Sequence, residues 1–187
     1  MKIFRLLFFF VLALVVTTGF LSLMMATSQK IKRSITIHAP ASVIFEKVKQ
    51  LNNFNRFSVW GAQDSTIRYT RSGTDGTPGA SITWKGDPEI SGEGKIELVS
   101  LTYPHTITHA LHFSAPQKGK ASSVFSIIET EKNTTAVTWN FELYTPRPKN
   151  IFNLFFSLDK QMGKDFETGL AALKVFIESG PAQQPAP

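Results

Sequence analysis

The sequence predicts an α+β domain in which a curved antiparallel sheet of about seven strands wraps around one long C-terminal helix. An apolar N-terminal helix precedes it. Three observations carry this. A string of segments alternates apolar and polar residues or is bounded by turn residues: 31–38, 66–72, 79–85, 90–101, 105–114, 120–130 and 134–144. One amphipathic stripe runs through 149–179, and residues 6–26 carry no charge. A sheet with one apolar face and a helix with one apolar stripe bury both by packing together, so the sheet is expected to curl over the helix.

The uncharged run comes first. As a helix it spans about 31 Å, close to one hydrocarbon core. Lys2 and Arg5 precede it, and Lys30, Lys32 and Arg33 follow. A retained membrane anchor is expected. A cleaved signal peptide is the alternative, with Ala26 and Ser28 as the small residues of a poor cleavage site; a buried helix is the third reading. A short N-terminal stub that stays in the cytoplasm makes the chain a single-pass inner-membrane protein with its domain on the extracytoplasmic side, although the flanking cations nearly balance. The expected division is an anchor or signal sequence with a short link over 1–30, a domain over 31–180, and a disordered Pro/Ala/Gln tail over 181–187.

That anchor explains the charge. The chain has a formal charge of +6, but residues 1–33 hold five cations and no acid. The remainder holds 15 cations and 14 acids, a net of +1, and lacks the electrostatic footprint of a nucleic-acid partner. The absence of cysteine excludes disulfides, thiol catalysis and cysteine-ligated zinc or iron–sulfur clusters. No pattern calls for a cofactor or a metal.

Within the domain, Ile31, Arg33, Ile35 and Ile37 share one face of the first strand. Pro40 then opens a short helix with Val43, Ile44, Val48 and Leu51 on its apolar side. Phe54, Phe57 and Trp60 mark a second short helical segment. The later strands are punctuated by Gly73–Gly76, Gly86-Asp87-Pro88, Tyr103-Pro104, Ala115-Pro116 and Lys132-Asn133. Their faces include Ile82/Trp84, Ile96/Leu98, Ile107/His109/Leu111/Phe113 and Val137/Trp139/Phe141/Leu143. In the last helix Ile151, Leu154/Phe155, Leu158, Met162, Phe166, Leu170, Leu173 and Ile177 recur every three or four residues.

Residues 33–46 (RSITIHAPASVIFE), 52–60 (NNFNRFSVW), 79–86 (GASITWKG) and 92–97 (GEGKIE), with the Phe-rich last helix, resemble the START-like, birch-pollen-allergen-like (SRPBCC) superfamily. Within it the chain looks like the polyketide cyclase/dehydrase and lipid-transport family in a membrane-anchored bacterial form. The likeness covers about 31–179 and departs at Val59, where many relatives have proline. It implies the helix-grip fold and a cavity between sheet and C-terminal helix suited to an apolar ligand. Fold alone does not choose among carriers, receptors and cyclases.

Inward-facing aromatics that could wall such a cavity are Tyr69, Trp84, Phe113, Trp139, Phe141 and Phe166, although for any one ring filling the core is the favoured reading. Trp60 and Leu170 are further candidate ligand contacts. His109 and Arg71 are the polar candidates for orienting a ligand. His105 shares the strand face of His109 but lies about 13 Å along it, too far for one metal, and His112 faces the other way. Asp87, Glu89 and Glu93 read as a solvated loop, and 73–79 as a hairpin loop rather than a phosphate cradle. Ser58 has no nucleophile elbow. Phe152, Phe155 and Phe156 read first as packing residues, with a lid or membrane-facing role second.

The expected function is a membrane-anchored binding domain for a lipid, isoprenoid or polyketide-like molecule, with a hydrophobic small molecule and the membrane as its partners. The alternatives are a cyclase or dehydratase using His109, His105, Tyr69 and Arg71, and an envelope protein-interaction module without a ligand.

Overall fold

The structure, a computed structural model, describes residues 2–179, so the tail expected at 181–187 lies outside it. Helix α1 spans Lys2–Met24 and is followed by strand β1, Ser28–Ile37. Two short helices, α2 (Ala41–Val48) and α3 (Val59–Gln63), flank a 3-10 segment at Leu51–Arg56. Strands β2 (Arg68–Ser72), β3 (Ser81–Lys85), β4 (Glu93–Thr102), β5 (Thr106–Ala115), β6 (Gly119–Glu131) and β7 (Thr134–Tyr144) follow. A second 3-10 segment, Lys149–Leu154, leads to helix α4, Leu158–Glu178.

All seven strands form one antiparallel sheet in the order β1-β7-β6-β5-β4-β3-β2. The chain therefore meanders from β2 to β7, and β1 closes the edge beside β7. Register irregularities at Leu98/Ser100 and Glu129/Glu131 locally increase the twist that lets the sheet wrap α4. Core residues alternate as the sequence implies: Ile31 and Ile37 on β1, Ile107 and His109 on β5, Phe125 and Ile127 on β6, and Val137, Trp139 and Phe141 on β7 are buried. Leu158, Phe166, Leu170, Leu173 and Ile177 of α4 pack onto that face.

Polar contacts fix α4 along β1. The Arg33 guanidinium reaches Asp159 at 2.8 Å and Glu167 at 2.7 Å. It crosses the helix over Gly163, where any Cβ would run into the guanidinium. Near the other end Lys174 donates to the Thr36 carbonyl at 2.7 Å, and the His38 amide donates to Glu178 at 2.7 Å.

The ends of two elements differ from expectation. Strand β1 starts at Ser28 rather than 31, because the ladder with β7 continues to Ser28↔Tyr144, so only Met25–Thr27 separate it from α1. The last helix starts at Leu158 rather than 149. Ser157 caps it, accepting from the Lys160 amide, and the Leu158 amide donates to Gln29 at 2.9 Å. Residues 149–154 are instead drawn toward α1. Asn150, fully buried, accepts from the Ser22 hydroxyl at 2.7 Å and donates to the Ser22 and Met25 carbonyls. Arg147 donates to the Ser22 and Leu23 carbonyls. These groups satisfy carbonyls that a helix end leaves without partners. As a result Leu154 and Phe155, expected on the buried stripe, are exposed.

Helix α1 is otherwise exposed along its length, and it is long and apolar enough to cross a bilayer. A membrane anchor and a signal sequence share that character.

Candidate functional site

The sheet is not filled evenly from edge to edge. In the middle, Trp139 stacks on Phe125 with ring centroids 4.8 Å apart and tilts against Phe166 at 4.5 Å. Phe57 meets both Phe125 and Trp139 edge-on, and the Trp139 indole N–H donates to the Ser123 hydroxyl at 2.8 Å. This aromatic block closes the core under β5–β7. Toward β2 and β3 the strands shorten, and a partly open cavity of about 240 Å³ remains.

That cavity lies between β2–β5, the α3 region and the start of α4. Ile82, Trp84, Ile96, Leu111 and Phe113 form its sheet wall, with Phe141 at the aromatic block. Phe54, Trp60 and Met162 face them. Trp84 lies flat because its cross-strand neighbour is Gly94, and a Cβ at Gly94 would run into the indole and into the His112 carbonyl at 2.7 Å. Its indole N–H is satisfied by the Ser91 carbonyl at 3.1 Å.

The polar residues of the lining are Asn55, Ser58, Tyr69 and Ser91, with the Tyr69 hydroxyl beside the Asn55 side chain. Burial raises the Tyr69 phenol above its usual pKa, an effect the Asn55 side chain partly offsets, so at neutral pH the hydroxyl keeps its proton and can donate. Asp64, nearly fully buried, pins the rim. It accepts from the Thr66 amide and hydroxyl at 2.8 and 2.6 Å, from the Asp87 amide at 2.8 Å, and from the Ser91 hydroxyl. Hydrogen bonds from Ser91 and Thr66 hold its carboxyl well below the usual carboxylate range. This one side chain ties the 86–92 turn to the 64–66 turn and so holds Ile90 and Ser91 over the cavity.

The candidate residues separate into three groups. Trp60, Tyr69, Trp84, Phe113 and Phe141 meet on the cavity wall. Trp139, Phe166, Leu170 and His109 are buried in the core beside it, off the lining. Arg71 is exposed and donates to the Asn52 side chain, since the short β2 lets it reach past the sheet to the first 3-10 segment. His109 has neither ring nitrogen hydrogen-bonded, and burial pushes its pKa down to about 4. His105 lies just before the start of β5, next to the Ile127 carbonyl, and His112 is exposed. Glu93 pairs with Lys85 at 2.9 Å, and the Asp87 side chain accepts from the Glu89 amide. Among the described residues no group of three or more His, Cys, Asp or Glu could hold a metal.

Sequence reading passed over Asp64 and the wall residues Phe54, Ile96, Leu111 and Met162. An Asp followed two residues later by Thr is a local turn signal, and it was there to be read at 64–66. The wall residues carry no signal that separates them from ordinary core.

A second, wider space adjoins the cavity. It is an open groove of about 1020 Å³ between the β5–β6 turn, the end of β7 and the 149–156 segment. Phe113, Phe141 and Met162 line both spaces.

Solved structures share this architecture. Norcoclaurine synthase from Thalictrum flavum, in complex with dopamine and hydroxybenzaldehyde, superposes with a TM-score of 0.61 at 12% identity, covering 88% of this chain and 95% of that one. Major latex-like protein 151 from Panax ginseng gives 0.56 at 11%, covering 81% and 98%. A protein from Nitrosospira multiformis gives 0.54 at 16%, covering 81% and 99%. At these identities the likeness is one of fold. No curated protein matches by sequence. The family described as polyketide cyclase / dehydrase and lipid transport matches residues 28–178, from the first residue of β1 to the last of α4, and the chain belongs to that family.

Proposed function

We propose that this protein is a membrane-anchored binding domain that holds a hydrophobic small molecule between the sheet and α4. The observation that carries the reading is the 240 Å³ cavity, walled by Trp60, Trp84, Phe113 and Phe141, with Asn55, Ser58, Tyr69 and Ser91 as its polar lining residues. An apolar space with a few convergent polar groups is the general form of a small-molecule site. A cavity of about 150 Å³ takes up benzene, so this one has room for roughly ten non-hydrogen atoms before the groove is counted. Burial of apolar surface drives binding, at roughly 25 cal/mol per Å². The Tyr69 hydroxyl and its neighbours orient the polar end of the ligand.

The fitting of Asn150 and Arg147 to the end of α1 supports a retained anchor. Removing α1 would strip Asn150 of its hydrogen bonds to Ser22. In this reading α1 spans the inner membrane with its N-terminus in the cytoplasm, and the domain stands outside.

A cyclase or dehydratase needs an acid–base set around the bound substrate. Of Tyr69, Arg71, His105 and His109, only Tyr69 is on the cavity wall, which favours a carrier or receptor over an enzyme.

The test is tryptophan fluorescence of the full chain in nanodiscs, titrated with brominated fatty acids and quinones, alongside native mass spectrometry for copurified lipid. Saturable quenching that Trp60→Phe/Trp84→Phe largely removes is expected. A protein that copurifies empty and binds no fatty acid, lipid or quinone would rule the reading out.

A further inference from the structure

One apolar surface of the domain is left uncovered. Phe152, Leu154, Phe155 and Phe156 are 62%, 56%, 75% and 57% exposed. Single exposed apolar side chains are ordinary, but four within five residues form a patch of the kind that marks an interaction surface. Its position is fixed by the same contacts that hold α1: Asn150 and Arg147 grip the carbonyls of the last turn of that helix, and Asn153 reaches the Ala26 carbonyl at 3.3 Å. The surrounding segments, 113–121 and 143–156, contain Lys118, Lys120, Arg147 and Lys149 and no acid. The outer groove opens in the same place, with Lys118, Lys149, Phe152 and Phe156 on its walls.

We propose that residues 149–156 sit in the interfacial layer of the bilayer that α1 crosses, and that the outer groove is a portal by which a membrane amphiphile reaches the inner cavity. The proposal rests on the ligand-binding reading above. Whatever is clamped to the last turn of a membrane-spanning helix lies at headgroup depth. Aromatic rings flanked by cations favour that layer, the rings at the acyl boundary and the cations against anionic headgroups. Along this route the tail of a lipid passes from the acyl region to the groove and then beyond Phe113, Phe141 and Met162 without crossing bulk water. Its headgroup stays beside Lys118 and Lys149. The occupant of the patch is therefore a lipid surface carrying anionic headgroups.

The absence of cysteine makes the test direct. Phe155→Cys and Lys132→Cys are labelled singly with an environment-sensitive fluorophore in the full chain. Lys132 lies in the β6–β7 turn beyond the far end of β7, about 35 Å from the patch along an 11-residue strand. The proteins are placed in phosphatidylcholine/phosphatidylglycerol nanodiscs, with or without a quencher attached near the lipid headgroup. Emission at 155 is expected to fall to less than half, with no change at 132. Weak and equal quenching at both positions overturns the proposal, as does blue-shifted but unquenched emission at 155, which means that a second copy or another protein covers the patch. A second measurement follows uptake of brominated fatty acid from the bilayer by the native chain and by a Phe152→Ser/Phe155→Ser/Phe156→Ser variant. At least tenfold slower uptake by the variant, with the same final quenching, is expected. Equal rates overturn the portal and leave the ligand-binding reading intact. Quenching at 155 with no uptake by either protein overturns the ligand-binding reading and the portal with it.

Discussion

His109 provides a quantitative test of how the core is built. Its imidazole is 1% exposed, lies edge-on to Phe125 with centroids 6.1 Å apart, and has no hydrogen-bond partner on either nitrogen. Desolvation is the only influence on its titration, and it lowers the pKa from 6.5 to about 4. The sign follows from proton counts. Between those values the unfolded chain takes up a proton that the folded chain refuses, so stability is complete above pH 6.5 and declines as the pH falls toward 4. At about 1.4 kcal/mol per pH unit, the full loss is about 3 kcal/mol. His109→Leu keeps the apolar contacts and removes both the titration and the unpartnered nitrogens, each of which costs about 1–3 kcal/mol when buried. The variant is therefore expected to be at least as stable as the native chain at pH 7.5 and to gain on it steadily down to pH 4. Urea denaturation of both proteins in detergent, followed by tryptophan fluorescence at half-unit pH steps, measures the difference directly and cancels the carboxylates they share. A parallel decline of the two proteins, or a variant weakened at pH 7.5, would refute the reasoning, because either result means that the ring has a polar partner in the folded state.

Other perturbations address the cavity and the junction with α1. Asp64→Asn should free the 86–92 turn, seen as faster amide exchange at Asp87 and Ser91 with little change at β6. In the native chain the Asp64 contribution is present above about pH 4, the usual Asp range, and is lost as the pH falls through the lower folded value, so acid should loosen the same amides. Gly94→Val should displace the Trp84 indole into the cavity and reduce binding of an apolar fluorescent probe at least tenfold; unchanged probe binding would show that Trp84 does not wall the site. Asn150→Leu removes two hydrogen bonds to Ser22 of α1 and one to Met25, and should cost about 1–3 kcal/mol at that junction, read as faster proteolysis within Met25–Thr27 while the strand amides stay protected.

The sequence showed the order of elements because each is dictated locally. Alternation at Ile107–Phe113 and Val137–Leu143 requires strands with one buried face, and the Leu158–Ile177 spacing requires a helix with one buried stripe. It misplaced the start of that helix. Leu154 and Phe155 continue the apolar period, but Asn150 and Leu158 redirect the backbone through bonds to Ser22 and Gln29, more than a hundred positions away. It also could not sort the rings. Trp84 and Trp139 have the same alternation and chemistry, yet Trp139 fills the centre of the sheet while Trp84 borders a space, because the sheet is covered fully at β7 and only partly at β3.

What the sequence determined by itself is the kind of object: a sheet gripping a helix, behind an apolar segment that takes most of the basic charge out of the domain. Period, turn residues and the location of charge are local properties, and a linear reading captures them. The tertiary structure decided where the interior is left unfilled, which polar groups line that space, and which apolar side chains lie beside the end of α1 uncovered. Those features depend on how distant segments meet, and the residues that make them look like any other core or surface until the chain has closed around itself.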